Sequence, residues 1–256
     1  MDIVFVGAGR LATNLAKALR DAGHHVMAVY SRTMESASAL AAQVGGIPTD
    51  CIDNLPTKAD VFILSVKDAV LPTVAELLRK GRGEQVFLHT AGSIPLTVFG
   101  VHAHCGVLYP MQTFSKDKAV DFTRVHIFIE GNDLSTLRLA QTLAQSVSSH
   151  VHELSSDERR YLHLAAVFAC NFTNHCYALS AKMMEAHGMP FEAMYPLIRE
   201  TTEKVGAMHP RDAQTGPAVR WDENVMAAQK TLLADEPDIQ QIYEIMSKSI
   251  HNLAND

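Results

Sequence analysis

A glycine turn near the start of the chain constrains the fold more than any other segment. Residues 3 to 12 read IVFVGAGRLA, in which an apolar run stops at Gly7, Gly9 follows, and Ala12 stands three residues further on. An amphipathic stretch begins directly afterwards. The pattern predicts a strand that turns sharply and continues into a helix.

Such a strand, turn and helix suit a bound pyrophosphate. The helix presents its free N–H groups and the positive end of its dipole to one spot. Gly7 permits the turn, Gly9 lets the ligand approach the backbone, and Ala12 lets the helix lie close to the strand. A second apolar run, HHVMAVY at 24–30, completes the unit. We therefore predict dinucleotide binding, and the alternative is a turn that is tight for packing alone.

The end of the second predicted strand indicates which dinucleotide is bound. An enzyme for NAD places Asp or Glu about 20 residues after the glycines, where it binds the ribose hydroxyls. Here Ser31 and Arg32 occupy that strand end, whereas Asp21 and Glu35 fall within predicted helices. A hydroxyl and a guanidinium suit a 2′-phosphate, so we predict NADP. The alternative is that Arg32 is only a solvated residue before a helix.

Two regions differ in their hydrophobic pattern. Short apolar runs alternate with helical patterns over residues 1–153, which predicts an α/β domain with a doubly wound, mostly parallel sheet, the Rossmann arrangement. Residues 154–256 show helical patterns only, which predicts an all-α domain. Its first helix starts on a serine cap, stops at Gly188 and is apolar almost all round, so we expect it to lie centrally.

Composition and charge exclude several classes of protein. A net charge of −6 provides no basic field for nucleic acid. No apolar run approaches the roughly 18 residues that span a bilayer, so we expect no membrane association. The four cysteines form no C-x-x-C pair, which favours reduced thiols in a cytoplasmic protein. The histidine pairs at 102 and 104 and at 150 and 152 lack an obvious third ligand, so we predict no metal site.

Several stretches resemble a known superfamily. VGAGRLA, YSRT, VFILSVKDAVL and LHTAGSIPL are similar to the NADP-binding domain of pyrroline-5-carboxylate reductase, ketopantoate reductase and the deazaflavin-dependent NADP reductases. Over the whole chain, HTAGS, LYPMQTFS, IEGN, HLAAVFACNFTNH and TGPAVRWD resemble a group of Rossmann-like NADP oxidoreductases. Pyrroline-5-carboxylate reductases usually have Pro-Asn where this chain has Leu108-Tyr109-Pro110-Met111, so the resemblance does not extend to a proline-type substrate.

This resemblance implies a set of cofactor-binding residues. The pyrophosphate would meet the glycine turn, the 2′-phosphate the end of the second strand, and the nicotinamide side the ends of two later strands. The residues implied for these three places, in that order, are Gly7, Gly9, Arg10, Leu11 and Ala12; Ser31 and Arg32; and Val66, Lys67, Ala91 and Gly92.

The long apolar helix carries the candidate catalytic residues. At 100° per residue, Asn174 lies about 20° from His163 and Asn171 about 80° from it, which makes one polar stripe. Histidine is a suitable proton donor near neutral pH, and asparagine orients a carbonyl or carboxylate. The alternative is that these side chains only satisfy one another or nearby backbone. Tyr109 and His89, at strand ends, are weaker candidates.

Together these patterns predict an NADP-dependent oxidoreductase. We expect a hydride to pass between the nicotinamide and a small carbonyl, imine or redox-cofactor substrate in a crevice between the domains. The alternative is a non-catalytic NADP(H)-binding regulator, because a Rossmann fold does not by itself imply chemistry. The helical domain is small for its long central helix, so we also predict a homodimer packed through that domain.

Overall fold

The computed structural model describes residues 1–100, 104–116 and 118–255. The chain forms two compact units, Met1–Cys170 and Asn171–Asp256. The described strands all lie in the first unit, and the second is built from helices. The sequence places a domain boundary after residue 153, where the last strand ends, whereas the division between compact units falls later, within the long helical segment.

The first unit is built on an eight-stranded sheet in the order β3-β2-β1-β4-β5-β6-β7-β8. All neighbouring strands are parallel except β6 and β7, so the predicted doubly wound, mostly parallel sheet is confirmed. Its strands in chain order are β1 Asp2–Val6, β2 His25–Tyr30, β3 Ile47–Thr49, β4 Val61–Leu64, β5 Val86–His89, β6 His104–Pro110, β7 Ile127–Gly131 and β8 Val151–Glu153.

Helices cover both faces of this sheet. Successive residues of a strand point to opposite faces, and β1 shows this directly: Ile3 and Phe5 belong to one apolar core, Val4 and Val6 to the other. The first core is completed by α1, α2 and α4, and the second by α3. The helices of this unit are α1 Arg10–Asp21, α2 Met34–Val44, α3 Leu71–Arg79, α4 Leu134–Val147 and α5 Ser156–Ala166.

The long helix is interrupted by a π segment. It begins with a capping box in which Ser155 and Glu158 satisfy each other's backbone N–H groups, as its serine cap predicted. Residues 167–172 then form π-helix before α6, Thr173–Ala186, resumes, and Gly188 follows its end with a φ of 67°. The 100° spacing holds only for α-helix, so the angles predicted between His163 and the two asparagines do not apply.

The second unit buries few of its apolar side chains. After α6 it contains α7 Tyr195–Ala207, α8 Pro210–Ala213, α9 Pro217–Arg220, α10 Glu223–Leu232 and α11 Pro237–Asn255. Contrary to the central position expected for the long apolar helix, large side chains along it are exposed within one chain, at Tyr161, Leu164 and Phe168 in the first unit and at Phe172 in the second. Among the described residues, no helix has the length and apolar character needed to cross a membrane.

Candidate active site

The glycine turn joins β1 to α1 at the carboxyl edge of the sheet. Gly7 has a φ of 119°, and a Cβ added there would lie 2.1 Å from the carbonyl oxygen of Ser65, so only glycine fits. A Cβ added to Gly9 would meet nothing within 4 Å. Packing within the chain therefore does not require glycine at position 9, and the space beside its backbone is open. Ala12 is fully buried, as the turn pattern predicts.

The first turn of α1 is free to bind an anion. Gly9 is its N-cap and contributes no side-chain hydrogen bond, so the N–H groups of the first turn keep their capacity for a ligand. Arg10 is exposed and Leu11 half-buried. The amide of Asn14 donates to the carbonyl oxygens of Arg10 (2.9 Å) and Ser115 (2.8 Å), which ties this turn to the segment after β6.

Ser31 and Arg32 follow β2 directly, as predicted. The backbone N–H of Ser31 donates to the carbonyl of Thr49, while Arg32 is exposed. Thr33 caps α2 by accepting from the N–H of Ser36, so the positive end of that helix begins directly after Arg32 in the chain. Asp21 ends α1, and Glu35 lies in the first turn of α2. This strand end therefore offers cationic and N–H groups to a phosphate.

The ends of β4 and β5 lie side by side, because these strands pair in parallel register. Val66 and Lys67 follow β4, and Ala91 and Gly92 follow β5. Two side-chain hydrogen bonds link these ends, from Thr90 to Ser65 at 3.2 Å and from Ser93 to Asp68 at 2.5 Å. Ligands of open α/β sheets bind beyond such carboxyl ends.

His163 lies directly against these strand ends. Its Nδ1 is 3.1 Å from the hydroxyl oxygen of Tyr109 at the end of β6, and the two rings meet edge to face. A Cβ added to Gly92 would lie only 2.5 Å from the same Nδ1. The structure thus brings His163 together with Tyr109 and Gly92. The half-buried His163 ring and the buried Tyr109 ring form what we call the Tyr109–His163 pair.

Tyr109 and His89, the weaker catalytic candidates at strand ends, differ in how burial changes their pKa values. Burial raises the pKa of Tyr109, an effect that the nearby Arg159 charge opposes, so the phenol stays protonated at neutral pH. Burial lowers the pKa of His89 to about 3, and its Nδ1 accepts from the N–H of Ala91. His89 is fully buried and stacked on Phe99, so it acts as a neutral structural ring.

The two candidate asparagines belong to the second unit. Asn171 lies in the π segment and Asn174 in the first turn of α6, and both are exposed within the second unit. Sequence reasoning missed the Asp68–Ser93 contact and the ion pair of the buried Arg159 with the half-buried Glu130. The motifs IEGN and SSDERR contain the two charges of that pair, but nothing in the sequence places them together.

Of the two histidine pairs considered for metal binding, the structure describes both members of only one. His102 lies outside the described residues. The structure adds His126 to the pair His150 and His152, with His126 Nδ1 2.9 Å from His152 Nε2. Among the described residues, no three His, Cys, Asp or Glu side chains are arranged to hold a metal ion.

Two family models match the chain. Residues 2–91 match a family described as NADP oxidoreductase, coenzyme F420-dependent. Residues 125–250 match a domain of unknown function, DUF2520. No curated protein sequence matches.

Solved structures resemble the chain over almost its full length. A "putative NADP oxidoreductase" from Bacteroides fragilis is 46% identical, with a TM-score of 0.93 and 98% of each chain covered. An imine reductase from Myxococcus stipitatus in complex with NADP+ is 14% identical, with a TM-score of 0.71, over 100% of this chain and 94% of that one. A pyrroline-5-carboxylate reductase from Coxiella burnetii is 17% identical, with a TM-score of 0.59, over 99% and 97%. The last two likenesses concern the fold alone.

Proposed function

Because the chain belongs to the same NADP oxidoreductase family as the Bacteroides fragilis protein, we propose that it passes a hydride between NADP(H) and a small substrate beside Gly92. The substrate is a carbonyl compound, an imine or a redox cofactor. NADP is the cofactor of this family, in agreement with the prediction from the strand end at Ser31 and Arg32. The cofactor supplies the hydride, and the protein supplies binding, orientation and a proton.

The glycine turn and the end of β2 support the proposed cofactor contacts. Gly7, Gly9 and Ala12 shape the turn, and the backbone N–H groups of Arg10 and Leu11 are available to the pyrophosphate. Ser31 and Arg32 would bind the 2′-phosphate. The remaining contacts, on the nicotinamide side, would come from Val66, Lys67, Ala91 and Gly92.

The observation that carries the proposal is the Tyr109–His163 pair over Gly92. Hydride addition to a C=O or C=N bond leaves a heteroatom that requires a proton, and histidine can donate one near neutral pH. The Tyr109 hydroxyl can donate to a neutral Nδ1 or accept from a protonated one. It therefore supports both charge states of His163, whereas its own raised pKa makes it the poorer acid.

We also propose roles for the candidate asparagines and for the helical region. Asn171 and Asn174 would orient the polar end of the substrate. The apolar groove of the second unit, about 520 Å³ and lined by residues such as Leu232, Tyr243 and Met246, supports a homodimer packed through the helical domain, residues 154–256. A second copy of the chain would cover apolar surface that one copy leaves exposed.

Oxidation of NADPH tests the proposal directly. Keto acids, cyclic imines, and flavin or deazaflavin acceptors are screened for loss of absorbance at the NADPH wavelength. With a substrate in hand, His163→Ala should lower kcat by about 10²–10⁴ and leave NADPH affinity unchanged. His187→Ala, at an exposed residue after α6, is the matched control. Full turnover in His163→Ala would refute the proton-donor role, and no turnover with any acceptor class would favour a cofactor-binding regulator.

A further inference from the structure

An ion pair between a buried arginine and a half-buried glutamate lies beside the proposed site. Arg159, in the first turn of α5, is 0% exposed. Its guanidinium donates to the Glu130 carboxylate at 2.5 Å and to the carbonyl oxygen of Ile94 at 2.6 Å, with a longer bond to Ser156 Oγ at 3.2 Å. One side chain therefore connects β7, the segment after β5 and α5.

The partners of Arg159 are themselves connected. Glu130 accepts from both the N–H and the hydroxyl of Ser156, at 3.0 and 2.7 Å. The Ser156 hydroxyl oxygen also accepts from the N–H of Leu96 at 2.9 Å. The start of α5 is thus bound to the residues that follow Gly92 by a continuous set of hydrogen bonds.

Stability alone does not explain this arrangement. Removing a guanidinium and a carboxylate from water costs free energy that their attraction often fails to recover, and apolar replacements of buried ion pairs are frequently as stable. What such a pair does supply is a fixed geometry, because each bond demands a particular direction.

His163 lies one helical turn after Arg159 in α5. Arg159 and His163 are four residues apart, so they share one side of α5. His163 packs so closely on Gly92 that no Cβ could be accommodated, and it meets Tyr109 at hydrogen-bond distance. A displacement of about 1 Å is enough to cost a catalytic group much of its effect. A loosened helix start would produce such a displacement.

We propose that Arg159, with Glu130 as its counter-ion, is the positioning residue of the site and holds α5 so that His163 stays against Gly92 and Tyr109. This inference rests on the proposed role of His163. It predicts that loss of the guanidinium frees the His163 ring without unfolding the protein.

Long-range ¹H–¹⁵N NMR of the His163 ring tests this in the full chain without a substrate. The spectrum reports which ring nitrogen carries the proton, and His163→Gln identifies the signal. In the unaltered protein at alkaline pH, we expect the Tyr109 hydroxyl to donate to Nδ1, which shifts the Nδ1 resonance away from that of a free neutral imidazole. In Arg159→Met the Nδ1 resonance should move to the free-imidazole position. Arg160→Met is the matched control, because Arg160 is an exposed neighbour paired with Asp157.

The outcomes separate positioning from the proposed chemistry. A folded Arg159→Met protein with an unchanged Nδ1 resonance overturns the positioning role. If Arg159→Met fails to fold, Glu130→Gln decides in the same way, since it removes the counter-charge and keeps the shape. With a substrate, Arg159→Met should lower kcat at least tenfold and leave the KM for NADPH unchanged; an unchanged kcat overturns the inference. If His163→Ala keeps full turnover, the proton-donor role fails, while the NMR result on positioning stands.

Discussion

Gly92 sets the distance between the end of β5 and His163. Alanine at this position would place its Cβ 2.5 Å from His163 Nδ1 and 3.0 Å from Tyr109 Cζ. We therefore expect Gly92→Ala to displace the histidine ring, break its bond to Tyr109 and cost about 1–3 kcal/mol in stability. Thermal melts and NADPH turnover measure the two effects. Gly83→Ala, where a Cβ meets nothing within 4 Å, should change neither, and full turnover in Gly92→Ala would contradict the assignment.

His89 makes stability depend on pH. Its pKa is lowered from 6.5 to about 3, so the unfolded chain binds a proton below pH 6.5 that the folded chain does not. Stability is therefore lost as pH falls from 6.5 towards 3, by about 1.4 kcal/mol per pH unit.

The variant His89→Asn isolates this contribution. The side-chain oxygen of asparagine can accept a hydrogen bond from the Ala91 N–H, as His89 Nδ1 does in the unaltered protein, but the asparagine side chain does not titrate. Urea unfolding at pH 6.5 and pH 5 should show a smaller loss of stability in the variant than in the unaltered protein. Equal losses would mean that His89 can be protonated without unfolding.

At the residue scale, the sequence identifies residues suited to ligand binding or proton transfer, but it does not identify the residues that they contact. The turn glycines could be identified because they occupy a local pattern, and Gly7 is required by its backbone conformation. His163 could be named as a polar residue on an apolar helix. Its neighbour Tyr109 is 54 positions away, and no local rule reports such a contact. For the same reason the Arg159–Glu130 pair was missed.

The connection between β2 and α2 carries the proposed discrimination between NADPH and NADH. Arg32 is exposed beside the N-terminus of α2, so it can bind a 2′-phosphate through charge-assisted hydrogen bonds. Arg32→Ala should weaken NADPH binding by roughly 1.5–3 kcal/mol and leave NADH binding unchanged. Calorimetric titration measures both, with Lys58→Ala, an exposed cation before β4, as control. An undiminished NADPH preference in Arg32→Ala would place the 2′-phosphate elsewhere.

Elements were predictable where their pattern is long and periodic. The apolar runs predicted as strands all appear in the sheet. Strand β3 was missed because the middle one of its three residues is proline, which is unfavourable within a strand. The first and last residues of the long helix could be predicted from its serine cap and Gly188. Its π segment could not be predicted, because the hydrogen-bond spacing within a helix has no clear residue signature.

For the whole molecule, the sequence indicated one α/β region and one helical region, and the structure differs in how the long helix is buried. An apolar helix was expected to be covered by its own domain, but Tyr161 is 76% and Phe168 63% exposed within one chain. Hydrophobic pattern indicates that a surface is covered and does not say by which chain. The proposed homodimer would account for this difference by covering these side chains with a second chain.

A homodimer packed through the helical domain, residues 154–256, is therefore the final prediction. Leu232, at the end of α10, lines the apolar groove and is 84% exposed in one chain. Leu232→Glu places a charge where a second copy would pack, so it should convert a dimer to a monomer, because an unpaired buried charge is costly. Light scattering coupled to size-exclusion chromatography measures the mass. Leu134→Glu, at a similarly exposed leucine in α4 of the first unit, should remain dimeric. A monomeric unaltered protein would refute the dimer, and a dimeric Leu232→Glu would place its interface elsewhere.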